Sequence, residues 1–475
     1  MSQIAAKIKR NLANRKDESI VFYEQQTISA RVFLKQINEF ERELRSFKNN
    51  RCIAINLETS PTALACFIAS LSVAKNTAYL DKSWPLTSLN STIESIGADL
   101  SISEKETELV EPYISVHNGQ TPSRFGNCSQ TDTMFTCFTS GTTGAPKGCV
   151  RSEESWIASF EADQDFAKIS PESEIVVLGS FSHSLGIYAA VRGLYANAKV
   201  RLFRKFDANK IAKQIRAASN AIIFGVPTQF VALARTAPKP NESTWRMLST
   251  GAKLPQSHIT TIRQKFPNAD IVEFYGTSEL SYVSARNVGA LEVPTSVGTP
   301  LAGIEVVIQH SDKSNEDATA VGLVKVRSPL AFNGYIVDHK FTPAEEWISV
   351  GDIGFLGEEG ALHLIGRIDR MFQLSGRNIV PEAIEAALLS IAGVTHAAVI
   401  GLPDPTRENR IVAIVEADGT LSRKSLVKKL KKDIASYTIP HRFYVCDEWP
   451  KTASGKTDFR RLNEKVLSSA LDELP

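Results

Sequence analysis

The sequence predicts an α/β fold with a large N-terminal region and a smaller α+β C-terminal domain, on the strength of three observations. The chain has 475 residues, more than one hydrophobic core normally serves. Strand patterns alternate with helical patterns up to about residue 290, which favours layered α/β architecture. Beyond that point, short β-branched runs are followed by two helix patterns and two strand patterns, which is typical of a separate mixed domain.

The first region contains one clear helix pattern and several buried strand patterns. These are the helix 29–47 and the strands 52–57, 174–178 and 220–224. Between residues 296 and 366, glycine and turn residues interrupt short runs such as 304–308, which predicts mostly β-structure.

The last 105 or so residues, counted from Asp369, predict the small domain. Its elements are, in order, helix 381–391, strand 397–401, strand 410–416 and a basic helix 421–434. Helix 381–391 begins with Pro381, and its acidic residues near the N-terminus, Glu382 and Glu385, are expected to be structural.

Composition and charge argue against several classes of protein. With 54 basic and 52 acidic side chains, the formal net charge is only +2, so nucleic acid is not expected as a partner. The most apolar stretch, 63–74, is too short and too rich in serine to cross a bilayer, so no stable membrane insertion is expected. No apolar segment follows the basic residues near the N-terminus, so a secretory signal is not expected either.

The cysteines support a cytoplasmic location. They contain no C-x-x-C pair and are expected to be reduced and mostly buried, not ligands of zinc or partners in disulfides. The six are Cys52, Cys66, Cys128, Cys137, Cys149 and Cys446.

A segment rich in glycine and hydroxyl groups follows the apolar strand pattern 135–138. It reads T-S-G-T-T-G-A-P-K-G over residues 139–148. Its glycines allow a backbone nest for an anion, and its lysine adds a mobile positive charge. Its spacing is not that of a Walker loop, and the residues alone leave phosphate binding and a plain surface loop equally open. The candidate phosphate-binding residues are Thr139, Ser140, Gly141, Thr142, Thr143, Gly144 and Lys147.

Segment 139–148 resembles the signature loop of the adenylate-forming (AMP-binding) superfamily, which includes acyl-CoA ligases, luciferases and adenylation domains. Further segments resemble other motifs of that superfamily, namely 251–254, 273–279, 347–352, 366–370, 374–385 and 450–457. The resemblance implies a multi-subdomain N-terminal adenylation domain, 1–368, and a small mobile C-terminal domain, 369–475. Asp369 would be the hinge.

The resemblance implies a role for each matched position. The ring of Tyr275 would stack on adenine beside Gly276, and Thr277 would hydrogen-bond a phosphate. Glu279 would hold Mg²⁺ through a hard oxygen, and both Thr277 and Glu279 would take part in catalysis. Gly251 and Ala252 would lie along the nucleotide and the acyl carboxylate.

The remaining matched positions surround the ribose and the reacting groups. Asp352 would bind the ribose hydroxyls, and Arg367 the ribose or α-phosphate. Lys456 would be the catalytic lysine of adenylation, and Gly376 would give a thiol-bearing arm close passage to the adenylate. From the residues alone, Lys456 could instead be a solvated lysine, and Arg367 and Asp369 a surface ion pair.

The implied reaction has two half-steps. A carboxylic acid first reacts with ATP, in the presence of Mg²⁺, to give an acyl-adenylate and pyrophosphate. The thiol of CoA then takes the acyl group and releases AMP. Three alternatives stay open. The acceptor could be the phosphopantetheine of an acyl-carrier protein, docked on the basic helix 421–434. The chain could also be a non-catalytic ligand-binding homologue or a light-emitting oxygenase.

The sequence restricts the identity of the carboxylic acid substrate but does not determine it. His183 corresponds to the entrance of the acyl pocket in acyl- and aryl-CoA ligases. Ser182 stands where amino-acid-activating relatives carry an aspartate for the substrate ammonium, which argues against an amino acid. Residues 151–156 depart from the S-H-x-N stretch of many relatives, so no role is carried over to them. The chain is also short for this superfamily, so a deep tunnel for a long acyl chain is not assured.

Overall fold

The computed structural model of the chain describes residues 2–47, 51–104, 112–117, 134–140, 146–216, 218–237, 243–289, 295–310, 321–375, 377–404, 406, 408–417, 421–452 and 456–474. Its helices and strands are numbered in chain order. The α-helices are α1 (Gln3–Asn14), α2 (Ala30–Arg45), α3 (Pro61–Val73), α4 (Leu86–Ser95), α5 (Glu153–Ala162), α6 (Gln164–Ala167), α7 (Ser184–Tyr195), α8 (Ala208–Ile215), α9 (Pro227–Thr236), α10 (Gln256–Lys265), α11 (Pro381–Leu389), α12 (Arg423–Asp433) and α13 (Phe459–Leu467). Two 3₁₀ helices span Glu358–Gly360 and Ser436–Thr438.

A nine-stranded sheet supports most of the site. Its strands are β1 (Ser19–Tyr23), β2 (Gln26–Ser29), β9 (Glu174–Val177), β10 (Lys199–Leu202), β11 (Ala221–Gly225), β12 (Arg246–Ser249), β13 (Asp270–Thr277), β14 (Ser281–Asn287) and β15 (Thr299–Pro300). Their order is β15-β14-β13-β12-β11-β9-β10-β1-β2, and the six strands from β13 to β1 in that order are parallel.

An eight-stranded sheet packs beside it, in the order β19-β18-β8-β7-β4-β3-β5-β6. Its strands are β3 (Cys52–Asn56), β4 (Asn76–Tyr79), β5 (Leu100–Glu104), β6 (Pro112–Val116), β7 (Phe135–Ser140), β8 (Pro146–Arg151), β18 (Gly334–Val337) and β19 (Lys340–Pro343). A four-stranded antiparallel sheet follows in the chain. It contains β16 (Glu305–Gln309), β17 (Gly322–Arg327), β20 (Asp352–Leu356) and β21 (Leu362–Arg367).

The C-terminal region has its own sheets. They contain β22 (Phe372–Leu374) with β23 (Arg377–Ile379), and β24 (Val394–Asp404), β25 (Glu408–Ala417), β26 (Arg442–Val445) and β27 (Asp472–Glu473). The predicted strand 397–401 is the middle of β24, which is longer because it pairs with β25 along almost its whole length.

Local sequence explains where several helices begin. The hydroxyl of Ser29 accepts from the amide of Val32 at the start of α2, and Ser60 accepts from Ala63 at the start of α3. Serine N-caps satisfy amide groups that have no partner inside the helix. Pro61 occupies the first turn of α3, where its missing N–H costs nothing.

Separate apolar cores underlie the two regions. The clusters that join the nine- and eight-stranded sheets contain buried residues only up to Leu362. The two C-terminal clusters are built from Leu374 onwards, with α11 and α12 on one side of β24–β26 and α13 on the other. The predicted α/β class, with a large N-terminal part and a smaller C-terminal part, is confirmed. None of the helices in the described ranges is long and apolar enough to span a membrane.

Candidate active site

The carboxyl ends of four parallel strands meet at one edge of the nine-stranded sheet. Gly225 at the end of β11 is paired with Ser249 at the end of β12, which is paired with Glu273 on β13. Val177 at the end of β9 is paired with Phe224. Ligands of open α/β sheets bind beyond the carboxyl ends of the strands. The segments that follow these strands therefore form the candidate site.

A tight hairpin between β13 and β14 lies at one end of this edge. A Cβ atom on Gly276 would lie 1.9 Å from the carbonyl oxygen of Ser281, so only glycine fits there. The hydroxyl of Thr277 accepts a hydrogen bond from the amide of Leu280 at 3.2 Å. The hairpin therefore holds Thr277 at the strand edge in a turn fixed by its own backbone.

Glu279 is a buried carboxylate in the same turn. Tyr335 on β18 donates to its Oε1 at 2.7 Å, and Oε2 accepts no hydrogen bond from any described residue. Burial, and then the charge of Glu279, raise the pKa of Tyr335, so the phenol remains a donor. In the described ranges, no group of three His, Cys, Asp or Glu side chains could hold a metal ion. One oriented carboxylate oxygen nevertheless fits Mg²⁺ that also binds phosphate oxygens and water.

The side chain of Tyr275 on β13 contacts that of Asp352 on β20. The phenol of Tyr275 donates to Oδ2 of Asp352, and Oδ1 accepts no hydrogen bond from the described part of the chain. Burial raises the pKa of Asp352 above its ordinary value. Burial also raises the pKa of Tyr275, and the neighbouring carboxylate raises it further. A fixed, buried acceptor with a free oxygen suits a ligand hydroxyl group.

Arg367 lies directly opposite Asp352 in the β20–β21 ladder. Its Nη2 donates to the carbonyl of Val350 at 2.9 Å, and its Nε donates to Oδ1 of Asp369 at 3.1 Å. Burial alone would lower the pKa of Arg367, but the carboxylates of Asp352 and Asp369 outweigh it and raise this pKa. Arg367 and Asp369 are thus an ion pair at the rim, with side chains 47% and 37% exposed.

Lys456 reaches this edge from the C-terminal region. A Cβ atom on Gly251 would lie 3.1 Å from Cε of Lys456 and 3.8 Å from its Nζ. Gly251 has a φ of +82°, which favours glycine for a second reason. Surrounding protein atoms, and then the charge of Arg367, lower the pKa of Lys456, while Asp352 and Glu279 oppose this. The residue as a whole is nevertheless exposed.

The predicted phosphate segment is only partly described. Thr139 on β7 is paired with Lys147 on β8, and both side chains are half-buried. The ammonium of Lys147 makes no ion pair or hydrogen bond with another described residue, so it is available to a ligand. Predicted residues outside the described ranges are Gly141, Thr142, Thr143 and Gly144, and the side chain of Ser140 is also not described.

The segment was expected to be a loop from residue 139 to residue 148, and that boundary is wrong. Residues 139–140 and 146–148 belong to β7 and β8, because the two strands pair up to Ser140 and Pro146. A Cβ atom on Gly148 would lie 2.5 Å from a methyl group of Ile336, so this glycine permits packing of β18 against β8.

The expected entrance of the acyl pocket follows β9. His183 is the residue before α7, and its amide donates to the carbonyl of Ser180 at 3.2 Å. Ser182 is buried, and its hydroxyl lies 2.9 Å from that of Ser180. The position that would hold an ammonium-binding aspartate is therefore occupied by a hydroxyl group paired with a neighbouring serine.

Two further polar side chains lie at this edge, and the sequence analysis did not identify them. Ser249 and Thr250 directly precede Gly251; both are buried, and neither hydroxyl has a hydrogen-bond partner among the described residues. A buried hydroxyl without a partner is costly unless a ligand or water satisfies it. The only sequence signal was their position before the turn 251–254, in which Ala252 is exposed.

The segment after Asp369 is held by a half-buried cation, Arg370. Arg370 bonds Glu382 at 3.0 Å and Glu385 at 2.6 Å. Glu385 also accepts from the amide of Val399 at 2.8 Å. These acidic residues join α11 to its own sheet, which is a structural contribution. Gly376 lies outside the described residues.

Two cysteines on the paired strands β7 and β8 lie opposite each other beside the site. Cys137 on β7 is paired with Cys149 on β8, and the thiol of Cys149 donates to the carbonyl of Ser278 at 3.3 Å. All five described cysteines are free and buried, and Cys128 lies outside the described ranges.

Comparison with known proteins agrees with this geometry. The model of the AMP-binding enzyme family matches residues 8–336, and that of the AMP-binding enzyme C-terminal domain matches residues 383–456. The chain is 33% identical over 333 residues to an uncharacterized acyl–CoA ligase, YhfT, of Bacillus subtilis, covering 70% of this chain and 68% of the relative.

Two further similarities extend over nearly the whole length. The putative long chain fatty acid–CoA ligase VraA of Staphylococcus aureus is 28% identical over 481 residues, covering 99% of each chain. The crystal structure of ATP-bound MatB from Rhodopseudomonas palustris shares the fold with a TM-score of 0.81 at 20% identity, covering 98% of this chain and 99% of MatB. The chain belongs to the family of AMP-binding enzymes.

Proposed function

We propose that the chain is an AMP-forming acid–CoA ligase, which activates a carboxylic acid with ATP and transfers the acyl group to the thiol of CoA. The supporting observation is the position of Lys456 against Gly251, at the edge that also presents Thr277, Glu279 and Asp352. The reaction needs charge stabilisation and positioning but no protein nucleophile. A cation beside an edge that carries oriented acceptors meets that need.

The first half-reaction joins the acid to the α-phosphate. An oxygen of the substrate carboxylate attacks the α-phosphorus, and the bond to pyrophosphate breaks. Lys456 offsets the negative charge that moves from the carboxylate to the phosphoryl group. Lys147 and Thr139, with residues 140–144, would bind the phosphates, and Asp352 the ribose. When bound through Glu279 and ATP oxygens, Mg²⁺ supplies further positive charge.

Several remaining assignments belong to the nucleotide as well. Tyr275 and Gly276 would line the adenine, and the backbone at Gly251 and Ala252 would run along the acyl phosphate. Arg367 would contact the ribose or the α-phosphate, to which its guanidinium can donate two hydrogen bonds. Each of these residues lies at the strand edge or on its rim.

The second half-reaction requires a different arrangement of the C-terminal domain. We assign the domains to residues 1–368 and 369–475, because the C-terminal cores begin at Leu374 and those of the N-terminal part end at Leu362. Rotation about Asp369 would withdraw Lys456 and bring Gly376 to the adenylate. The thiolate of CoA then attacks the acyl carbonyl carbon, and AMP leaves.

The acyl acceptor has a second candidate. Helix α12 presents an exposed face of lysines, and none of them is ion-paired with a described residue. These lysines are Lys424, Lys428, Lys429, Lys431 and Lys432. Such a face could bind the phosphates of CoA or an acidic acyl-carrier protein. Because relatives are named CoA ligases, CoA is the first choice.

The acid is proposed to lack an α-ammonium group, because Ser182 is bonded to Ser180 and no carboxylate stands there. His183 would border the pocket, and fatty, aryl and dicarboxylic acids all remain compatible with it. We place the reaction in the cytoplasm, since free, buried cysteines are typical of a reducing compartment.

The test is mass spectrometry of purified enzyme with ATP, Mg²⁺ and a pooled panel of fatty, aryl, dicarboxylic and amino acids, with and without CoA. We expect an acyl-CoA together with AMP. An acyl-adenylate that accumulates and ignores CoA would identify a carrier protein as the acceptor. Release of ADP, or no acid-dependent product from any pool, would contradict the proposed function.

A further inference from the structure

A buried arginine lies directly behind the turn that contains Thr277 and Glu279. Arg151 ends β8, and only 4% of it is exposed. Among the described residues no carboxylate lies within ion-pairing distance of it, and burial lowers its pKa. A buried cation without an ion-pair partner is expensive, so it must be compensated by good hydrogen bonds.

The guanidinium of Arg151 donates to two backbone carbonyls at once. Nη1 donates to the carbonyl of Ser278 at 2.9 Å, and Nη2 donates to that of Leu330 at 2.5 Å. Nε donates to the hydroxyl of Ser155 at 3.2 Å. Ser278 is the residue between Thr277 and Glu279, so the first of these bonds fixes the peptide group at the centre of the turn.

The second carbonyl belongs to the segment that orients Glu279. Within residues 330–335, the amide of Phe332 donates to the carbonyl of Glu279 at 2.7 Å, and Tyr335 donates to its carboxylate, also at 2.7 Å. The rings of Phe332 and Tyr335 pack edge to face at 4.7 Å. Arg151 therefore joins the turn to the segment that supplies both donors to Glu279.

We propose that Arg151 is a positioning residue of the reaction, which holds Thr277 and Glu279 in the geometry that ATP requires. This rests on the proposed function, because it assumes that the turn contacts the nucleotide. Only a planar guanidinium can bond two carbonyls and a hydroxyl in fixed directions, and a lysine ammonium at this depth cannot reach all three. The residue stands in the stretch 151–156 that departs from the S-H-x-N pattern, so the family resemblance assigned it no role.

The experiment compares Arg151→Met and Arg151→Lys with the wild type in ATP–pyrophosphate exchange, using the acid identified by the panel. Loss of a charge-assisted hydrogen bond is worth about 1.5–3 kcal/mol, so we expect the KM for ATP to rise roughly 10- to 100-fold in the Met variant and less in the Lys variant. Calorimetric titration of ATP, without the acid, should show the same weakening. Tyr335→Phe should raise the same KM by a smaller factor.

The matched control is Arg192→Met. Arg192 is another buried arginine of the same part of the chain, but its guanidinium bonds Asp163 and Gln164 and no residue of the turn 277–279. Its loss should lower the Tm and leave the KM for ATP within about twofold. The inference is overturned if both Arg151 variants lower the Tm while KM and ATP affinity stay within twofold of the wild type. If Arg151→Met does not fold, Arg151→Lys decides by the same criterion. A wild type that forms no AMP rejects the proposed function itself.

Discussion

The two sides of the candidate site differ in how firmly their side chains are held by hydrogen bonds. The side that contains Glu279 and Asp352 is called the sheet wall, and the side that contains Lys456 is called the C-terminal wall. On the sheet wall, Glu279 and Asp352 are each 8% exposed, and each accepts a hydrogen bond from a tyrosine. On the C-terminal wall, the residue Lys456 is exposed, and its ammonium forms no hydrogen bond or ion pair with another described residue. The rim pair of Arg367 and Asp369 is also partly exposed, with side chains 47% and 37% accessible.

This difference indicates how two half-reactions can share one site. Breaking an exposed ion pair costs about 0–1 kcal/mol, whereas removing one partner of a buried polar contact costs several times more. In the proposed mechanism, the wall that would bind the nucleotide can therefore stay fixed while Lys456, which would serve only the first step, leaves at little cost. A movable cation on a rigid binding edge is the arrangement that the proposed hinge transition between two chemical steps would require.

The largest expected effect on activity concerns Lys456 on the C-terminal wall. Lys456→Ala should reduce adenylate formation about 10²- to 10³-fold, because it removes the cation that offsets charge in the transition state. Thioester formation from a supplied acyl-adenylate should remain within about threefold of the wild type. Both steps are measured separately, by pyrophosphate exchange and by acyl-CoA release. Lys451→Ala, an exposed lysine nearby, is the control, and equal loss of both steps would remove the proposed division of labour.

Substitutions on the sheet wall should weaken the binding of ATP. Asp352→Ala should weaken ATP binding about 10- to 100-fold, because a buried, charged acceptor for the ribose is lost. Tyr275→Phe, which removes only the hydrogen bond to Asp352, should weaken it by a smaller factor. Calorimetric titration of ATP gives both values. Unchanged affinity in Asp352→Ala would show that this carboxylate does not contact the nucleotide.

One added methyl group at Gly251 tests the contact between the sheet wall and Lys456. In Gly251→Ala the new Cβ would lie 3.1 Å from Cε of Lys456, and a φ of +82° adds about 1–2 kcal/mol of backbone strain. Adenylation should fall about tenfold, with thioester formation much less affected. Gly303→Ala is a matched control, because its φ is +78° and a Cβ there would meet nothing within 4 Å. Equal effects of the two substitutions would mean that strain alone, and not Lys456, is responsible.

The smallest effect concerns pH at the boundary of the two regions. Burial lowers the pKa of His258 on α10 to about 4, with the charge of His396 on β24 acting in the same direction. The other groups that act on this pair are Thr395, Arg235, Glu416 and Lys451. The folded state therefore favours neutral His258. Its contribution to stability is complete above pH 6.5 and is lost as the pH falls towards 4.

The loss from this group between pH 7 and pH 5 should be about 2 kcal/mol. Denaturant unfolding at several pH values measures it. His258→Gln should flatten this part of the pH profile, and His310→Gln, directly after β16, should not. A wild-type profile that is level from pH 7 to pH 5 would contradict the buried, neutral state of His258.

Much of the fold could be predicted from the pattern of apolar residues in the sequence, for physical reasons. The runs 52–57, 174–178 and 220–224 are apolar on both faces because parallel strands are covered on both sides, and they correspond to β3, β9 and β11. Extents of strands were less predictable, because pairing with a neighbour decides them, as in β24 and β7.

The parts of the site that the sequence did not reveal are the supports. Arg151 and Tyr335 orient the turn 277–279 from strands that lie far from it in the sequence, and nothing in their local pattern distinguishes them from ordinary residues. Such contacts depend on how β8, β14 and β18 pack together. Ser249 and Thr250 were similarly hidden, because an unpaired buried hydroxyl group can be recognised only from the surrounding atoms.

The proposed reaction requires that a carboxylate oxygen of the acid attacks the α-phosphorus of ATP. Mass spectrometry of AMP, formed in the complete reaction with CoA from an acid labelled with ¹⁸O in its carboxylate, follows that oxygen. We expect AMP that contains one ¹⁸O atom, because the oxygen that bridges the acyl and phosphoryl groups leaves with AMP. AMP without label, or label found in pyrophosphate or inorganic phosphate, would contradict it.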